Sequence, residues 1–231
     1  MLKSLKSLKF IVAAIIALAT PAAAEVELSF YLGVQGVQKS TGSGTMPGGA
    51  PFSRSIDWEG NSLDLPVYYG GRVTWWTQNN LGFGIEATHA KAYASNADLA
   101  ALGVSKLELS DGHNIFTVNI MKRFPDTFAN SKFTPYVGAG LGVAVPHADI
   151  QVIGSTGRTF GFEQTGLAAR GIAGLKYDLN DRWALFGEYQ ATWSDNEITI
   201  DPDPAVVGQT AGKLNTTLIT HALNFGISYS F

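Results

Sequence analysis

Three of the four histidines in this 231-residue chain fall in short polar motifs. They are "THAK" with His89, "DGHN" with His113 and "VPHAD" with His147. Histidine serves as acid, base or metal ligand near neutral pH. Asp111 and Asp149 lie within two residues of two of these histidines, and His with Asp makes a hard-to-borderline ligand set for a divalent metal. Lys91 and Asn114 supply groups that contact a phosphate, a carboxylate or a sugar hydroxyl. The candidate chemistry is proton transfer by His89, His113 and His147, with Asp111, Asp149 and His147 as metal donors and Lys91 and Asn114 as substrate contacts. Whether the three motifs meet depends on the elements that carry them.

Those elements have a period of two. Segment 25–36 sets Val26, Leu28, Phe30, Leu32 and Val34 against Glu27, Ser29, Tyr31 and Gln35. The same alternation runs through 65–76, 81–93, 114–124, 133–147, 165–179, 182–193 and 215–231, which makes eight strands. Long connections over 37–63, 94–111, 148–158 and 194–213 alternate with short turns such as "TQNN" and "LNDR". Long loops at one end and short turns at the other predict an all-β, eight-stranded antiparallel up-and-down transmembrane barrel with both termini in the periplasm. A lipocalin-like soluble barrel would show the same period with its apolar face inside. Trp75, Tyr177, Trp183 and Trp193 at strand ends suit interfacial aromatic girdles, and mixed-sign charges share the opposite face, so the apolar face is assigned to lipid.

Arg72, Glu86, Arg170, Lys176 and Glu188 then point inward, and their burial demands pairing. A barrel of eight strands is filled by its own side chains, which excludes a wide pore. The glycines of "GAGLG", 138–142, lie within a strand with no helix following; they make room for bulky interior neighbours such as the arginines and do not cradle a nucleotide.

Residues 1–24 carry lysines at 3, 6 and 9, an apolar run and an Ala-rich end, the pattern of a cleaved secretory signal, which leaves 25–231 as the barrel. Losing those lysines takes the net charge from −3 to −6, since 13 basic residues then face 19 acidic ones. That balance argues against nucleic acid as a partner. The absence of cysteine excludes disulfides, thiolate metal sites and cysteine nucleophiles. A terminal strand ending in Phe231 resembles the signal read by the assembly machinery of Gram-negative outer membranes.

On this topology the strands carrying His89, His113 and His147 are neighbours. By parity His89, His147 and Asn114 face outward and His113 inward, while His221 faces lipid elsewhere and is read as structural. His89 stands eight residues above Leu81, roughly 20 Å up an apolar band of about 25 Å. At that height a lysine costs only ~0 to 1 kcal/mol, so Lys91 is tolerable beside lipid head groups.

The segments "ELSFYLGVQ", "WEGNSLDLPVYYGGRVTWW", "LGFGIEATHAKAY", "DGHNIFTVN", "TPYVGAGLGVAVPHAD" and "DRWALFGEYQATWS" resemble the lipid A oxidase group of small outer-membrane barrels, with "THAK", "DGHN" and "VPH" the more specific parts. The resemblance implies oxygen-dependent oxidation of the proximal glucosamine of lipid A to 2-aminogluconate with release of hydrogen peroxide. It makes lipid A, or lipopolysaccharide, and the surrounding outer-membrane lipids the partners. Dioxygen accepts two electrons reluctantly, so a cofactor is expected; without cysteine or a nucleotide motif, a divalent metal held by His and Asp is the economical choice. An acyl hydrolase with a serine two residues after its histidine is disfavoured, because none of the four histidines has one. The remaining alternative is a non-enzymatic small barrel for adhesion, envelope integrity or host-defence resistance.

Overall fold

The computed structural model describes residues 25–129 and 132–231; the expected signal segment 1–24 lies outside the described residues. The elements are β1 (Glu25–Val37), β2 (Ser40–Thr45), β3 (Pro51–Ile56), β4 (Trp58–Glu59), β5 (Tyr69–Trp76), β6 (Leu81–Ala94) and α1 (Asn96–Leu102). They continue with β7 (Val104–Arg123), β8 (Phe133–Val152), β9 (Arg158–Phe162), β10 (Gly166–Asp178), β11 (Trp183–Ile200) and β12 (Gly212–Ser230). Eight antiparallel strands, β1, β5, β6, β7, β8, β10, β11 and β12, pair in chain order, and β12 returns to β1 from Glu27↔Ser230 to Val37↔Thr220. The ring is an all-β up-and-down transmembrane barrel, closed by the pairing of β12 with β1.

Burial follows the expected alternation with the expected sense. Phe30, Ile85, Val118, Leu141, Leu167 and Phe225 are exposed on the outside, while Tyr31, Glu86, Asn119, Arg170 and Asn224 are buried inside. Trp75, Tyr177, Trp183 and Trp193 also face out. The interior is neutralised by a continuous network. Arg72 donates from Nη2 to Glu188 Oε2 at 2.9 Å, and Arg170 Nη1 lies 3.0 Å from Glu86 Oε1. Gln190 Nε2 donates to both carboxylates at 2.7 and 2.8 Å, Tyr31 Oη to Glu86 at 2.6 Å and Tyr136 Oη to Glu188 at 2.8 Å. Nearer the short turns, Lys176 reaches Glu27 at 2.9 Å. Buried charge is tolerated when every oxygen finds a donor, and here the donors come from most of the ring.

The glycines of 138–142 do open space, but arginines are not its occupants. A Cβ at Gly138 would stand 2.2 Å from Met121 Sδ, one at Gly140 2.0 Å from Asn119 Oδ1, and one at Gly142 1.8 Å from the Phe116 carbonyl oxygen. Neighbouring β7 fills the room, because cross-strand neighbours are closer than any residue reaching across the barrel.

Two expectations about the connections change. First, the supposed loops are largely ordered extension of the wall: β7 and β8 each run 20 residues and β12 runs 19, against about 9 to 11 needed to cross a bilayer. Along β12 the inner face changes from Ser228 and Asn224 to Leu218 and Leu214, while the outer face changes from Phe225 and Leu223 to Asn215 and Lys213. Parity is constant; the composition of the two faces exchanges, because above the lipid band the outside meets water and the inside must supply the apolar core. That core comprises Ile56, Trp58, Leu107, Leu109, Ile150, Ile198, Ile200, Leu214 and Leu218 with smaller neighbours, and α1 caps it with Leu102. Second, β5 begins at Tyr69 instead of Leu65, and residues 60–68 leave the wall as an unpaired strap.

Candidate functional site

A β-bulge brings parts of the three histidine motifs together on the outer wall. His89 on β6 pairs in register with Asn114 on β7, and Ala90 with His113, after which pairing slips at Ala90/Ala92. Between β7 and β8 the register slips again between Glu108 and His113, while Leu109 still pairs with Ala92 on β6, so 110–112 form the bulge. Gly112 makes this bulge feasible. Its φ is +116°, and a Cβ there would stand 2.6 Å from His89 Nδ1 and 2.4 Å from Asn114 Oδ1, so only glycine fits without strain. The sequence signal was the Asp-Gly dipeptide of "DGHN", a turn former set inside a strand.

On the outer face, His89 Nδ1 lies 3.0 Å from Asn114 Oδ1. Asn114 directs its Nδ2 toward the carbonyls of Val145, at 3.4 Å, and Gly112, at 3.5 Å, which leaves its oxygen for the histidine. The imidazole therefore donates from Nδ1, and its Nε2 carries the lone pair. That Nε2 is buried without a hydrogen-bond partner. The Tyr69 ring stacks on the imidazole at 5.1 Å and fixes its plane. A neutral histidine with an oriented tautomer and a free Nε2 has what a general base requires.

His147 lies further along the same outer face, on β8. Its ring is held edge-on by Phe160 at 4.5 Å and Phe162 at 4.7 Å, both on β9. Its Nδ1 stands 3.4 Å from Asp111 Oδ2, within ion-pair distance but not aligned for a hydrogen bond. Tyr69, His89, Asn114, Asp111 and His147 thus form a row across four strands on the outside of the wall, as parity predicted for His89, Asn114 and His147.

His113 does not join them. It faces the interior, where Ser194 Oγ lies 3.0 Å from its Nε2. Consecutive residues of a strand point to opposite faces, so Asn114 outside requires His113 inside. Asp149 also leaves the expected metal set. Arg158 donates to its two oxygens from Nε and Nη2, each at 2.7 Å, and Lys106 Nζ adds a third bond at 2.7 Å. Burial pushes the Asp149 carboxyl up, but the bonds from Arg158 and Lys106 outweigh it and hold the carboxyl below its ordinary range. Among the described residues, no group of three or more His, Cys, Asp or Glu is arranged to hold a metal. The expected donors thus do not make a closed set; Asp111 with His147 is the pair that remains.

Lys91 departs most from expectation. It follows His89 on the outer face, yet it is 0% exposed, and His89 is only 8% exposed. The strap of 60–68 lies against Lys91, whose Nζ donates to the Asp64 carbonyl at 2.7 Å, while Tyr69 stacks on His89. His221 stays apart on β12, where Gln38 Nε2 lies 2.7 Å from its Nε2 and Tyr189 Oη meets its Nδ1.

Residues 10–231 match the family described as the outer membrane protein beta-barrel domain. The structure is similar to the outer membrane protein OprG from Pseudomonas aeruginosa, with a TM-score of 0.54 at 12% identity over 90% of this chain and 96% of that one. Neisserial surface protein A aligns over 91% of this chain and 98% of its own at 13% identity, with a TM-score of 0.48. A search of curated proteins finds no match. With a closed ring of eight strands, an apolar exterior and a match over nearly its whole length, this chain belongs to the outer membrane protein beta-barrel family.

Proposed function

We propose that this barrel is a lipid A oxidase, acting from the loop end of its outer wall on a lipid of the outer leaflet. The observation that carries the reading is His89, a histidine with a fixed tautomer and an unpartnered Nε2 on the lipid side of the barrel. In this scheme both termini are periplasmic and the strap end faces outward. His89 Nε2 takes the proton of the anomeric hydroxyl of the proximal glucosamine. The C1–H bond breaks as the C1 carbonyl forms, and two electrons with two protons in all pass to dioxygen, giving hydrogen peroxide. Water then opens the lactone to the 2-aminogluconate, for a net gain of one oxygen atom. Asn114 orients the base, and the Asp111–His147 pair borders the reacting sugar.

Mass spectrometry of lipid A from cells with and without the protein, in air and under anoxia, tests the scheme. An oxygen-dependent gain of one oxygen atom is expected. His89→Ala should retain heat-modifiable gel mobility and lose the product; a folded His89→Ala protein that still forms it would remove His89 from the site. A second reading, a non-enzymatic barrel working through its loop end, is favoured by the ordered, apolar-cored extension above the lipid band. No change in lipid A with the protein present, in air, selects that reading.

A further inference from the structure

The strap over Lys91 has a composition and a set of bonds that suit a cover better than a wall. Residues 60–68 make no strand pairing, although β4 before them and β5 after them both pair with β6. At the level of the resulting gap, Gln35 Nε2 on β1 donates to the Lys91 carbonyl on β6 at 2.6 Å. The strap is fastened by Ser62, whose Oγ accepts from Gln35 N at 2.8 Å and whose carbonyl accepts from Tyr68 N at 2.8 Å. Beyond that point Leu63 is 77% exposed and Leu65 87%, so its outermost side chains face the surroundings of the barrel and not the protein.

Beneath it lies a cation without a carboxylate in direct contact. Lys91 spends one of three donors on the Asp64 carbonyl, and the Tyr93 ring lies 5.6 Å away. Among the described residues no carboxylate is within ion-pair distance of its Nζ, whereas Lys106 and Lys176 both have one. An ammonium buried against a single carbonyl is poorly compensated. The unpartnered His89 Nε2 belongs to the same outer face two residues away. A tetrahedral oxyanion would use the two free donors of Lys91.

We infer that residues 60–68 are a displaceable cover over an anion site, and that the site takes the phosphate monoester of an outer-leaflet lipid through Lys91. Leu63 and Leu65 choose the lipid source over free phosphate, because a cover with leucines at its tip moves into acyl chains at little cost when it lifts. The inference rests on the proposed function only in taking the ligand to be a lipid A-like molecule; binding and oxidation are read separately.

The chain has no cysteine, so Leu63→Cys carries a single spin label. The labelled protein is placed in phosphatidylcholine nanodiscs and titrated with lipid A bearing phosphate monoesters, with the same lipid A dephosphorylated, and with inorganic phosphate. Phosphorylated lipid A should mobilise the label. Lys91→Gln, which keeps a donor for the Asp64 carbonyl and removes the charge, should weaken the response about ten-fold; Lys91→Met serves if that variant does not fold. An unmoved label, an equal response to dephosphorylated lipid A, or an unchanged response in the Lys91 variant overturns the inference. A response to inorganic phosphate alone overturns the lipid source. Label movement without oxidation of the lipid leaves this inference standing and removes the oxidase reading; oxidation with a static label does the reverse.

Discussion

Replacing Glu86 by alanine tests how the barrel interior is held together. The Glu86 carboxylate accepts from Tyr31 Oη at 2.6 Å, Asn119 Nδ2 at 2.7 Å and Gln190 Nε2 at 2.7 Å. It also faces Arg170 Nη1 at 3.0 Å and Arg72 Nη1 at 3.4 Å. Its loss leaves two buried guanidiniums, Arg72 and Arg170, with Glu188 alone among the four charges of this network. Breaking a buried ion pair from one side costs about 3 to 5 kcal/mol, because the orphaned charge has no water to return to. Glu86→Ala should therefore unfold that much more easily. The double variant Glu86→Met with Arg170→Met, which removes one charge of each sign and fills the space, should cost less than the single one. The assay is equilibrium unfolding by guanidinium in phospholipid vesicles, read by the fluorescence of the five tryptophans and by heat-dependent gel mobility. A single-variant cost under about 1 kcal/mol, or a double variant less stable than the single, refutes the claim that charge pairing organises this interior.

Three further outcomes follow from the same geometry. Gly112→Ala forces a φ of +116° on a residue with a Cβ and drives that Cβ toward His89 and Asn114; it should cost at least about 1 to 2 kcal/mol in the same unfolding assay, and under the proposed function it should abolish the oxygen-dependent change in lipid A. The Asp149 carboxyl is held below its ordinary range by Arg158 and Lys106, so its contribution to stability is present above the unfolded-state pKa and is lost as pH falls through the lower, folded value. Acid unfolding midpoints should thus be less pH-dependent in Asp149→Asn than in the wild type, and equal slopes would dismiss the clamp. Reconstituted in planar bilayers, the barrel should give no stepwise conductance, since the ion network fills its middle and Leu109, Ile198 and Leu218 close the loop end; steady single-channel steps would contradict the packing.

The sequence alone determined the ring and its polarity. A period of two is imposed by strand geometry, and with Phe30, Ile85 and Leu141 on one parity and Tyr31, Glu86 and Gly140 on the other, the choice of lipid for the first set also sets Arg72 and Glu188 inside. His89, Asn114 and His147 outside and His113 inside followed from the same count. The extension above the lipid band was also written in the sequence, as the alternating "SDNEITI" of 194–200 and "KLNTTL" of 213–218, but periodicity carries no sign. Isoleucines facing inward at 198 and 200 read like any short apolar pattern until the surrounding solvent is known.

Tertiary structure decided the rest. That Asp149 is consumed by Arg158 and Lys106 depends on β9 folding back along β8, a pairing between residues whose register no local pattern fixes. The cover over Lys91 depends on residues 60–68 failing to pair although "LPVYY" alternates as well as its neighbours do. Charge at a given height on a strand is readable from spacing; whether anything lies on top of it is a property of chain segments distant in sequence, and only their packing sets it.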